Sequence, residues 1–157
     1  MAYQKLQTER ANLVVPSDTI DIPDPGFALA SSTDTAGTSS KLTDTSQNFN
    51  TLNVKVGDII HNTTDNTVAT VTAIDSDTVL SISANIMANS EAYTIFSVPD
   101  KASACVLYVG TAGDATVITS GGDEVKFTGL PAGTFVPVQV TRVKSTGTTA
   151  STILALR

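Results

Sequence analysis

Few side chains in this sequence are of the types that do covalent or acid–base chemistry, and their spacing does not assemble them. His61 is the single histidine of the chain. A nucleophilic triad, a histidine-based metal site or a histidine acid/base each needs partners within hydrogen-bond reach, and no motif nominates them. Placed after Ile59-Ile60 and before Asn62-Thr63-Thr64-Asp65-Asn66, His61 reads as a turn residue. Cys105 is the single cysteine, so no disulfide forms within the chain, and its run Ala104-Cys105-Val106-Leu107 marks it as a small buried hydrophobe. Acidic oxygens gather at Asp75-Ser76-Asp77 and Asp123-Glu124, as they do in calcium loops. The longer Asp-x-Asp-x-Asp-Gly frame is missing, however, and both stretches read as turns. Gly110-Thr111-Ala112-Gly113 and Gly121-Gly122 lack the Gly-Lys-Ser/Thr helix start of a phosphate loop and read as hairpin turns. No catalytic, cofactor-binding or metal-binding residue is nominated, so the expectation is a protein that is not an enzyme and takes no cofactor.

The elements that carry these residues are strands. Hydrophobic residues make up 41% of the 157 and charged residues only 15%, which is too apolar for a solvated disordered chain. About one residue in six is Thr, and β-branched side chains favour pleated, half-buried surfaces over helix interiors. The fold class expected is all-β. A net charge of -6 with scattered Lys and Arg opposes phosphate neutralisation and offers no polybasic patch, which excludes nucleic acid and an anionic membrane as partners. No stretch reaches the roughly 18 apolar residues of a membrane span. The first ten residues lack the apolar core of a secretory signal, so synthesis in a cytoplasm is expected, with any exterior role reached by another route.

Three zones divide the chain. Residues 1–12 form an N-terminal arm, and residues 13–27 carry Pro16, Pro23 and Pro25, which forbid helix and favour an extended segment that must lie against a sheet or a neighbouring subunit. Residues 28–40 are small and polar and read as a loop. From there a strand rhythm runs through 54–61, 67–74, 78–83 and 93–96, spaced as in a small barrel or sandwich. Residues 98–157 hold a second strand series ending at Thr152-Ile153-Leu154-Ala155-Leu156. The organisation expected is a discontinuous β-sandwich or barrel base domain, 13–27 plus 98–157, with an inserted barrel-like β-module at 28–97.

One combination of strings goes beyond composition: Pro16-Ser17-Asp18-Thr19 with Ile22-Pro23, Leu107-Tyr108-Val109-Gly110-Thr111-Ala112-Gly113-Asp114, Leu130-Pro131-Ala132-Gly133-Thr134 with Pro137-Val138-Gln139-Val140, and Thr146-Gly147-Thr148-Thr149-Ala150. It resembles the head-spike base proteins of gene transfer agents and related small virion proteins of tailed phages. In those relatives the Pro-Ser-Asp arm runs almost directly into the Leu-Tyr-Val-Gly strand, whereas about seventy residues intervene here. The intervening segment looks like a β-module recurrent in phage structural proteins. The resemblance implies a virion component on the exterior of the head, a capsid decoration, cement or spike base. Its partners would be the major capsid protein or other virion proteins and its own copies, three or five about a symmetry axis. The alternatives in view are a tail, neck or fibre-attachment adaptor and a host-surface glycan-binding module.

Without a reaction centre, the residues to watch are those offered for contact. Leu6 sits on an N-terminal segment too short for its own core, and Tyr3, Lys5 and Arg10 place two cations there in an acidic protein. Leu130, Pro131, Phe135 and Pro137 form the second candidate group, on the face spanned by residues 130–140.

Overall fold

A computed structural model describes residues 8–99 and 103–157. Among them are twelve strands, β1 (Ala11–Leu13), β2 (Ala28–Thr33), β3 (Lys41–Thr43), β4 (Ile59–Asn62), β5 (Thr67–Ser76), β6 (Val79–Ile82), β7 (Ala92–Phe96), β8 (Cys105–Thr111), β9 (Gly113–Thr119), β10 (Glu124–Leu130), β11 (Thr134–Val143) and β12 (Ser151–Leu156), and one 3-10 turn at Pro25–Phe27. The protein is all-β. It divides into two compact units, Met1–Ile22 with Ala102–Arg157, and Pro23–Lys101. The boundary therefore falls after Ile22, not after Phe27. Asp24 caps the 3-10 turn through Gly26 N–H, and Ser97 N–H donates to the Phe27 carbonyl, which ties this stretch to the second unit.

The first unit holds one antiparallel sheet in the order β1-β12-β8-β11-β9-β10. Alternation along each strand sends Leu107, Val109, Val117, Val136, Val140, Ile153 and Ala155 to one face, where they form a single buried cluster. No helix covers that face among the described residues, and register shifts interrupt β11 and β10, irregularities of the kind that bend a strand and raise its twist. The proline-rich arm completes the cluster. Val14 and Ile22 enter it, and their N–H groups donate to the carbonyls of Ile153 and Thr141. Arg142 holds the arm from outside, with Nε and Nη2 on Asp21 Oδ1, each at 2.7 Å, and Nη1 on the Asp18 carbonyl. Asp18 in turn accepts from Thr146 N–H and Oγ1. Arg142→Ala should lower the urea-unfolding free energy of the full chain by about 1 kcal/mol, since the pair is partly exposed and screened. Earlier hydrogen exchange at Ile22 than at Ile153 would show that the arm loosens first.

Gly110-Thr111-Ala112-Gly113 is not a hairpin. β8 and β9 are separated in the sheet by β11, which pairs with both, and these glycines serve close approach instead. A Cβ at Gly110 would stand 2.7 Å from the Thr152 carbonyl oxygen, and one at Gly113 would stand 2.5 Å from Ala150 N. Gly121-Gly122 does form the β9–β10 hairpin turn, with Gly122 at φ +92°.

The second unit is a six-stranded antiparallel sheet in the order β2-β7-β4-β5-β6-β3. Its edge strands do not pair as a ladder, so no closed barrel forms. A single backbone bond, Thr35 N–H to the Thr43 carbonyl at 2.7 Å, spans the gap. Asp34, buried beside it, accepts from the N–H groups of Ala36, Gly37 and Thr43. Residues 28–33, expected as loop, are the edge strand β2, because β7 offers an unpaired flank and Ser31 Oγ meets Thr94 Oγ1 at 2.8 Å across it. Conversely, residues 54–58 are not strand. Asp58 turns back to accept from Lys55 N–H, and Gly57 stands at φ +99°.

Candidate interaction surface

In the first unit, the strand parity that does not enter the core forms the other face of the sheet. β8 reads Cys105-Val106-Leu107-Tyr108-Val109 and β12 reads Ile153-Leu154-Ala155-Leu156, apolar on both parities. A strand with one wetted face alternates apolar with polar; an unbroken apolar run is the pattern of a strand covered on both sides. The registers then align what alternation exposes. Leu13 lies opposite Leu154, Leu154 opposite Tyr108, and Tyr108 opposite Phe135, so one transverse row crosses β1, β12, β8 and β11. A second row runs from Ala11 through Leu156 to Val106, which is itself buried, and Val106 and Pro137 of β11 line one cavity. Leu13 is 40% exposed and Phe135 52%. The rings of Tyr108 and Phe135 meet edge to face, centroids 5.3 Å apart, in a geometry that rewards the aromatic quadrupoles. Beside them, Val106, Phe135, Pro137, Val138 and Gln139 line a mostly apolar cavity of about 250 Å³.

The eight residues expected to make contacts separate on this frame. Phe135 and Pro137 stand on the apolar face. Pro131 is exposed in the turn entering β11, beside Gly133, whose Cβ position would be 3.8 Å from the Tyr108 hydroxyl. Leu130 is half-buried and packs in part against the core cluster. Arg10 is exposed and held by its backbone, its N–H and C=O both paired with Arg157. Tyr3, Lys5 and Leu6 lie outside the described residues. Leu13, Tyr108, Leu154 and Leu156 were missing from the sequence reading, although the doubled apolar parity of β8 and β12 was a signal for them.

The residues of chemical type occupy structural posts. His61 Nε2 meets Asn66 Oδ1 at 3.0 Å across a turn. The Cys105 thiol is buried and donates to the Val140 carbonyl. Asp75 binds Lys41 Nζ at 2.7 Å and Ser81 Oγ, while Asp77 accepts from Asn50 Nδ2. These two aspartates thus serve different partners instead of converging on an ion. A second cavity of about 240 Å³ in the Pro23–Lys101 unit is lined by Asp65, Thr67, Asn85, Glu91 and the 86–88 segment. There the hydrogen bond to Glu91, with repulsion from its charge, holds the Asp65 carboxyl above the ordinary range. Glu91 is itself engaged by Asn62 Nδ2 and Ala88 N–H. No cluster of three or more His, Cys, Asp or Glu side chains suited to a metal occurs among the described residues.

No protein-family model, curated protein or solved structure matches this chain.

Proposed function

We propose that this protein is a structural component of a tailed phage or phage-like particle, assembling on the exterior of the head as a non-enzymatic decoration, cement or spike-base subunit. Its assembly surface is the outer face of the β1-β12-β8-β11 strands. The observation that carries the reading is the transverse row Leu13, Leu154, Tyr108 and Phe135: four large side chains without charge, aligned by register on the side of the sheet that its own core does not use. Association through such a face gains about 25 cal/mol for each Å² of apolar surface removed from water. A surface poor in charge has little to desolvate, which keeps the opposing cost low. The sequence resemblance to spike-base proteins supplies the setting.

Hydroxyl-radical footprinting tests it. Tyr108 and Phe135 should be oxidised in the free chain and protected several-fold in the assembled particle, and imaging of that particle should place density on the head. Equal oxidation of both residues in the two states would overturn the assignment of the face.

A further inference from the structure

We propose that the partner on this face is a second copy of the chain, related by a two-fold axis, with Phe135 of each copy seated in the cavity beside Pro137 of the other. The proposal rests on the reading of the outer face as an assembly surface and names what covers it.

The first argument is fit. An apolar cavity of about 150 Å³ accepts a benzene molecule, and the cavity here, about 250 Å³, has room for a phenyl ring. Its walls are the side chains of Val106, Pro137 and Val138, with Phe135 on one side and Gln139 as its one polar lining residue. The ring to fill it stands next to it, 52% exposed. Because knob and hole sit side by side on one face, two copies fill both holes at once only when the same patch meets itself, which is the isologous contact of a two-fold dimer. A head-to-tail ring would need the knob and hole on different faces.

The second argument is charge. Neither row of the face contains a charged side chain, so it has nothing to offer a charged partner and nothing to repel an identical one. Elsewhere two copies of a chain carrying -6 bring like charges together, a cost that the neutral face avoids.

The third is area. Four strands at about 4.8 Å spacing and six residues at about 3.4 Å give roughly 19 by 20 Å, about 400 Å² in plan for each copy. A standard interface buries about 800 Å² from each partner. Protruding rings add to the plan area without reaching the standard size, so the dimer is a weak one, with a dissociation constant roughly micromolar or higher.

Sedimentation equilibrium of the full chain from about 1 μM to about 1 mM spans that range and should show a monomer–dimer equilibrium. Phe135→Asp removes the knob and puts a charge on the face; Gln139→Trp fills the hole from within its own copy. Both positions are exposed, so the thermal midpoint should hold while each variant weakens dimerisation at least tenfold, the scale of a central aromatic anchor. A wild-type chain that stays monomeric to the highest concentration, one that forms trimers or pentamers, or a dimer indifferent to both variants would overturn the proposal. Protection of Tyr108 and Phe135 in the particle alongside a monomeric free chain would overturn the two-fold pairing and leave the assembly reading standing.

Discussion

Asp44→Ala should destabilise the Pro23–Lys101 unit by about 2 kcal/mol, because it strips the acceptor from the buried Tyr93 hydroxyl and removes two part-buried bonds from Ser46. Asp44 is fully buried. Its Oδ2 accepts from the Tyr93 hydroxyl at 2.8 Å, and its Oδ1 accepts from Ser46 N–H at 2.8 Å and Ser46 Oγ. Tyr93 is buried too, in the same cluster as Leu42, Leu80 and Ile95. Removing the carboxylate therefore leaves the Tyr93 hydroxyl without its acceptor inside an apolar core, while the Ser46 N–H and hydroxyl, on an exposed residue, can turn to water. Tyr93→Phe removes one bond and strands one acceptor that still has others, so about 1 kcal/mol is expected. In the double variant the cost should fall below the sum, because the Tyr93 hydroxyl is no longer there to be orphaned. Residue-resolved hydrogen exchange can assign the loss: amides of Leu42 and Ile95 should exchange faster while those of Leu107 and Ile153 do not.

The same network sets a pH dependence whose sign follows from the carboxyl. Burial alone would raise Asp44, but the hydroxyls of Ser32, Ser46 and Tyr93 and the Ser46 N–H outweigh it and hold the group below its ordinary 3.8. A carboxyl depressed in the folded state contributes stability that is complete above its unfolded value and lost as pH falls through the folded one. Asp75, held down first by its bond to Lys41, acts in the same direction. Asp65, raised by Glu91, acts oppositely and regains stability as it protonates. The second unit should thus hold its stability down to about pH 4 and lose it below, and Asp44→Ala should flatten that acid limb. An acid limb of unchanged slope in the variant would show that other carboxylates govern it.

What could be read from the sequence, and what could not, follows from the range of the forces involved. All-β character was legible because β-branched content and alternation are local. The extended arm was legible because three prolines restrict it without help from the rest of the chain. The strand β2 was hidden: Ala28-Leu29-Ala30-Ser31-Ser32-Thr33 has weak intrinsic preference, and what makes it a strand is the free flank of β7 some sixty residues away. Two readings failed because one composition serves two purposes. Gly110 and Gly113 look like turn residues, and only the sheet order shows that they make room for another strand. Leu130 sits within a Pro-Gly turn string that suggests surface alone, yet after the register shift between Phe127 and Leu130 it also packs in part against the core. The contact face was half legible. Phe135 and Pro137 were in view, and the doubled apolar parity of β8 and β12 pointed to Tyr108 and Leu154, but their alignment into one row with Leu13 depends on pairing registers, which no local pattern encodes.

The glycines of the first unit give the sharpest separation between close approach and turn conformation. Gly113→Ala should cost about 3 kcal/mol or more. Its new Cβ would stand 2.5 Å from Ala150 N and 2.8 Å from both Ala150 Cα and the Thr149 carbonyl carbon. All three are backbone atoms, held by the bonds that Thr149 and Ala150 N–H make to the Asp114 carbonyl, so the strain cannot be relieved by turning a side chain. Gly110→Ala meets the Thr152 carbonyl at 2.7 Å and the Thr152 Cβ at 2.9 Å. Thr152 is itself at φ +51°, a left-handed conformation unusual for a β-branched residue. Thr152→Gly should therefore stabilise by about 1 kcal/mol on its own and should recover part of the loss in Gly110→Ala, since it removes one of the two clashing groups. Gly122→Ala, at φ +92° with nothing within 4 Å, should cost only the conformational penalty, about 1 kcal/mol. Gly121→Ala, whose nearest neighbour at 3.4 Å is the Asp123 carboxylate, should be nearly neutral. If these residues were alike in being hairpin glycines, the four substitutions would rank by backbone angle, with Gly122 and Gly113, at φ +92° and +159°, the worse pair and Gly110 as mild as Gly121. Gly110→Ala costing more than Gly122→Ala in thermal or denaturant midpoints is the signature of a strand pressed against its neighbour, and a Gly110→Ala as mild as Gly121→Ala would overturn it.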